Sequence, residues 1–149
     1  VAYFTFRLLL KNNGYKKIFN TLEMINKKIA VRFVLNAASK SAAKKILNDL
    51  LNKNSLRAIS LTEFIPYEDE EHYEAVAGFR ITGNTPKEIE YNAFRFCALI
   101  SKGPWLFLHL PDESDSNDFN FEAIFNPEAF INHLDIYNNN LKWAHLEIF

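Results

Sequence analysis

Apolar residues along this chain recur with a period of two in some stretches and with helical spacing in others. The order of those stretches limits the fold more than any other feature. Ile29–Leu35 (IAVRFVL) is a β-branched run of strand length and reads as a mostly buried strand. Ser39 or Ser41 can then cap a helix over SAAKKILNDLLNKN, whose Ala42, Ile46, Leu47, Leu50 and Leu51 share one face. Leu56–Phe64 and Tyr73–Thr82 follow as strands, joined by Ile65–His72, an acidic loop with Pro66 at its start.

Thr85-Pro86-Lys87-Glu88 is the sharpest local signal. Thr85 can accept from the Glu88 N–H, Pro86 suits the first helical position, and Glu88 can reach back to the Thr85 N–H. The helix predicted from this start carries Ile89, Ala93, Phe96, Cys97 and Ile100 in a stripe and stops at Gly103-Pro104. Trp105–Leu110 and Phe119–Phe125 read as strands around the polar loop Asp112–Asp118. Asn126-Pro127-Glu128 starts a third helix bearing Phe130, Leu134 and Tyr137. Leu141–Phe149 closes the chain as a strand, with Ala144, Leu146 and Ile148 on one side and Trp143, His145 and Glu147 on the other. The order β-α-β-β-α-β-β-α-β predicts an α/β (α+β) fold, a mixed sheet with helices on one face. Its first six elements match a ferredoxin-like β-α-β-β-α-β core, extended by β-α-β.

Residues 1–23 read as a non-native or flexible extension ahead of a single α/β domain over 24–149, because Met24 is the only methionine. The run Val1–Leu10 is too short for a membrane span and is broken by Arg7, and basic residues follow it where a secretion signal would need a small-residue cleavage site. Charge is uneven: residues 1–60 hold twelve Lys and Arg against two acids, and residues 61–149 hold five against sixteen. With the first 23 residues set aside, the domain is mildly acidic, which speaks against nucleic acid as partner even though Lys27, Lys28, Arg32, Lys40, Lys44, Lys45, Lys53 and Arg57 cluster early.

Motifs for catalysis are lacking. The four glycines never cluster into a phosphate-binding loop, and neither a G-x-S-x-G elbow nor an H-E-x-x-H helix occurs. Cys97 lies on an apolar helix stripe, the usual place of a small core residue, and as the single cysteine it cannot form an internal disulfide. That fits a cytoplasmic protein. His109 and His145 would approach one another if their strands were neighbours, and with Glu147 they would offer two imidazoles and a carboxylate to a metal. Satisfied histidines are the simpler reading, so no metal, cofactor or catalytic residue is assigned. The loop DESDSND echoes a calcium loop but lacks its sixth-position glycine and twelfth-position glutamate.

The acids are the anomaly. Glu68, Asp69, Glu70, Glu71 and Glu74 crowd one connection, and Asp112, Glu113, Asp115 and Asp118 crowd another, with Tyr67 and Tyr73 beside the first. A negatively charged docking face for a basic protein accounts for them, with the tyrosines, Trp105 and Trp143 as anchors. In size, acidity of the second half, lone cysteine, aromatic richness and want of a catalytic motif, residues 24–149 resemble the small bacterial immunity proteins of toxin–immunity pairs, including those of contact-dependent growth inhibition. The resemblance implies a non-enzymatic cytoplasmic protein that occludes the active site of a cognate toxin, often a nuclease. Glu68–Glu71 and Asp112–Asp118 would then mimic phosphate charge, and Tyr67 and Tyr73 would pack against the toxin. Two other readings stay open: a ferredoxin-like small-ligand or regulatory module, extending to an enzyme, with His109, His145 and Trp143 lining a pocket, and a self-associating structural protein.

Overall fold

The computed structural model describes residues 24–103, 105–109, 120–127 and 140–149. Its elements run β1 (Ile25–Asn36), α1 (Lys40–Lys53), β2 (Ser60–Leu61), β3 (Ile65–Tyr67), β4 (Asp69–Gly83), α2 (Pro86–Ile100), β5 (Trp105–His109), β6 (Phe121–Phe125) and β7 (Leu141–Ile148). The protein is therefore α+β, with one seven-stranded sheet and, among the described residues, two helices. The extension over 1–23 and the third helix after Pro127 lie outside the described residues.

The sheet order is β2-β4-β1-β7-β6-β5, with β3 also pairing β4, and every pairing is antiparallel. The sequence reading expected a mixed sheet. The helical crossover through α1 is split by β4, which lies between β1 and β2, and the run β5-β6-β7 folds back on itself, so no two parallel strands touch. A ferredoxin-like arrangement would also set the strand after the second helix beside β1. Here β7 takes that place, and β5 lies at the far edge of the sheet.

Alternation of side chains builds the core in rows across the strands. Ala75, Phe33, Ala144 and Phe125 form one row by register, Ala77, Val31, Leu146 and Ala123 the next, and Phe79, Ile29, Ile148 and Phe121 a third. All twelve are buried and belong to one cluster with Ala43, Leu47, Leu50 and Leu51 of α1 and Ile89, Ala93, Phe96, Cys97 and Ile100 of α2, so both helices cover the same face. Aromatic edges close the seam: Phe79 meets Phe96 at 4.9 Å between ring centres, and Phe94 meets Phe107 at 4.7 Å, with interplanar angles of 61° and 69°.

The caps behave largely as their sequences imply. Ser39 Oγ accepts from the Ala42 N–H at 3.1 Å, and Thr85 Oγ1 from the Glu88 N–H at 3.2 Å. The Glu88 carboxylate reaches one residue further back than expected, taking the Asn84 N–H at 2.6 Å and the Asn84 side-chain amide at 3.1 Å. The strand expected over Leu56–Phe64 shrinks to Ser60–Leu61: at its start the Leu56 N–H bonds back to the Leu51 carbonyl of α1 at 2.9 Å, and past its end Thr62 Oγ1 accepts from the Val76 N–H at 2.9 Å. The expected loop over Ile65–His72 is instead a hairpin, and the β3–β4 ladder skips Glu70–His72. Among the described residues, no helix is long and apolar enough to cross a membrane.

Candidate functional site

The residues that alternate with the core rows form the opposite face of the sheet, and neither described helix covers it. Its centre is Arg32 on β1. Register sets Arg32 beside Val76 of β4 and His145 of β7, so Glu74 and Trp143, each two residues away from those partners, lie diagonally to either side. Arg32 Nε donates to Glu74 Oε2 at 2.8 Å, and Arg32 Nη2 pairs with the same oxygen. The guanidinium carbon sits 5.7 Å from the Tyr67 ring centre and 5.5 Å from that of Trp143. Each stack is worth about 0.5–1 kcal/mol at such half-exposed positions. Loss of solvation raises the Tyr67 hydroxyl above the ordinary tyrosine pKa, helped by its hydrogen bond to Glu68 and that neighbour's charge, while the Arg32 charge opposes the shift.

The same strip continues along β7. The Trp143 and His145 rings lie 5.8 Å apart, centre to centre. His145 Nε2 is 2.7 Å from Glu122 Oε1 on β6 and 3.5 Å from Glu147 Oε1. Glu122 and Glu147 also line a cleft of about 340 Å³ together with Asn120, Phe121, Ile148 and Phe149. None of His109, His145 and Trp143, the three residues expected to line a pocket, is among them. Backbone register pairs His109 with Glu122 on β6, so the strands of His109 and His145 are separated by one strand and are not neighbours.

The predicted partner-facing residues divide. Tyr67 is half-buried against Arg32, and Glu68 is exposed at the tip of the β3–β4 hairpin, with φ of 56°. Asp69 and Glu70 open β4, and Glu71 is exposed, with its carbonyl accepting from the Ala37 N–H at 2.9 Å. Tyr73 packs against the helix-side core, and Glu74 is held by Arg32, so both are engaged within the sheet. Asp112, Glu113, Asp115 and Asp118 lie outside the described residues. Cys97 is a core residue, 1% exposed, and burial pushes its thiol pKa up to about 12.

Sequence reasoning missed Arg32, placed with a general basic cluster, and Glu122, passed over as one polar position of an alternating strand. A usable signal for Glu122 exists. FEAIF alternates around it, so a carboxylate is aimed away from the core toward whatever strand lies alongside. The chain matches no protein-family model, no curated protein and no solved structure.

Proposed function

We propose that this protein is a non-catalytic binding protein that holds a basic protein partner against the sheet face opposite its two described helices and the β3–β4 hairpin. The observation that carries this reading is the cluster of Arg32 between Tyr67 and Trp143 on a sheet face that neither described helix covers, with carboxylates around it. Aromatic residues and arginine supply most interface hot spots, and a polar rim around them is the usual anatomy. Glu74 pairs with Arg32, Lys28 and Arg80 stand on the same sheet face, and the acids offered to a cationic partner are those of the hairpin, Glu68 and Glu71, with Glu122 and Glu147 on the sheet. Such acids steer a cationic protein in fast and reject an anionic one. Glu68 adds support of another kind, since a non-glycine residue in the left-handed region is often retained where function needs it.

Within that reading, the partner is a toxin whose cationic substrate groove receives the hairpin acids, and the protein acts in the cytoplasm as its immunity protein. The ferredoxin-like likeness is confined to the β1-α1-β2-β4 half, where a crossover is split by an antiparallel strand. The cleft beside Glu122 and Glu147 favours a second reading, a small-ligand or regulatory module.

The test is affinity purification with the full chain from its source cells, followed by titration of the retained partner at low and high salt. One stoichiometric basic protein is expected, bound more weakly at high salt. E68Q/E71Q should flatten that salt dependence, and W143A should weaken binding by about thirtyfold, the effect of losing a typical hot spot. A partner whose affinity ignores salt, E68Q/E71Q and W143A would overturn the proposed surface. No retained partner at either salt would leave the small-ligand reading in its place.

A further inference from the structure

Strand register brings three metal-ligating side chains together on the sheet face opposite the two described helices. His145 and Glu147 are two residues apart on β7 and share that face, while Glu122 on β6 stands directly opposite Glu147 and diagonal to His145. One ligand atom from each lies within 4.8 Å of the other two. The strands beneath are fixed, because Phe121, Ala123, Ala144, Leu146 and Ile148 are buried in the core. The cluster therefore holds its shape without depending on a loop.

Like charges directly opposite one another on neighbouring strands are destabilising, and Glu122 and Glu147 occupy such a pair. A divalent cation held between the two carboxylates would relieve that repulsion. The spacing suits an ion of small radius. Zinc bonds of about 2.0–2.1 Å to nitrogen and oxygen set neighbouring ligands about 3.3 Å apart in a tetrahedron. The distances from His145 Nε2, 2.7 Å to Glu122 and 3.5 Å to Glu147, bracket that separation. An imidazole in the set favours transition ions over magnesium and calcium, which prefer oxygen alone. Both carboxylates also line the adjoining cleft, through which water or a small ligand reaches a fourth position.

We propose that Glu122, His145 and Glu147 bind one divalent transition-metal ion of the zinc class. The site shares Glu122 and Glu147 with the proposed docking surface, but its ligand set is complete within this chain, so metal binding is read without any partner.

Titrating the chelator-treated full chain with Zn²⁺ by calorimetry, and with Co²⁺ by visible absorption, tests it. One equivalent of Zn²⁺ should bind, and Co²⁺ should give the intense bands of a tetrahedral site. E122Q, which can keep its hydrogen bond to His145, should weaken Zn²⁺ by about tenfold or more, as should E147Q, given that losing even an outer-shell partner costs at least that much. H145A should abolish the Co²⁺ bands with an unchanged far-ultraviolet circular dichroism spectrum. Absence of a stoichiometric Zn²⁺ site overturns the proposal. So does Zn²⁺ binding unaltered in both H145A and E122Q, which would place the ion elsewhere, and so does displacement of Zn²⁺ by millimolar Mg²⁺ or Ca²⁺.

Discussion

Glu68 turns the β3–β4 hairpin with φ of 56°, where its Cβ crowds the neighbouring backbone. Left-handed backbone costs a residue with a side chain about 1–2 kcal/mol, and glycine escapes that penalty. Glycine also gives the unfolded chain more freedom, which takes back about 0.4–1 kcal/mol. Glu68→Gly should thus stabilise the fold by about 0.5 kcal/mol in urea unfolding, the difference of those two effects. A loss of stability would show that the Glu68–Tyr67 hydrogen bond outweighs the strain. The same substitution removes an acid from the proposed docking surface, so higher stability and weaker partner binding should appear together. The crowding of acids around residues 68–74 was legible in the sequence, whereas their sorting was not. Alternation along β4 turns Tyr73 to the core and Glu74 to Arg32, and a skipped stretch of ladder at Glu70–His72 hides the parity from any count along the chain.

The start of α2 is the element whose sequence spoke most plainly, and its energetics are correspondingly local. Thr85 Oγ1 takes one of the free N–H groups of the first turn, and the Glu88 carboxylate sits at the positive end of the helix while bonding Asn84. Thr85→Ala should destabilise the protein by about 1 kcal/mol, with Thr85→Ser restoring most of it, as read by the urea midpoint at constant slope. A Thr85→Ala effect near zero would mean that burial of Ile89 and Ala93 holds the turn without its cap. The Glu88 contact with Asn84 in place of Thr85 was not readable, because Asn84 offers both a backbone and a side-chain donor to the same oxygen. Helices and caps depend on residues three or four apart, so the chain states them outright. Strand β2 depends on what faces it, and past its two residues Thr62 Oγ1 bonds to a strand fourteen positions away.

At the scale of the molecule, the arrangement turns on β7. Trp105–His109 and Leu141–Ile148 both alternate with one buried side, and nothing local says which of them lies beside β1. That choice is made by non-local packing. β7 supplies Ala144, Leu146 and Ile148 to the rows begun by Phe33, Val31 and Ile29, and those three are buried. β5 keeps Leu106 at 58% and Leu108 at 44% exposed, as suits an edge. Native-state hydrogen exchange should follow this order. Amides of β1 from Ile29 to Leu35, hydrogen-bonded to β4 on one side and β7 on the other, should be protected to the level of global unfolding, and those of β7 nearly so. Outward-facing amides of β5, and those of the short β2, should exchange by local opening, orders of magnitude faster. Removing residues 141–149 should then do more than trim an end. It would strip three core rows and leave both β1 and β6 with unpaired edges, so the truncated chain should lose its cooperative urea transition. If β5 proved as protected as β1, or the truncated chain still unfolded in one sharp step, β7 would not be the strand on which the sheet depends.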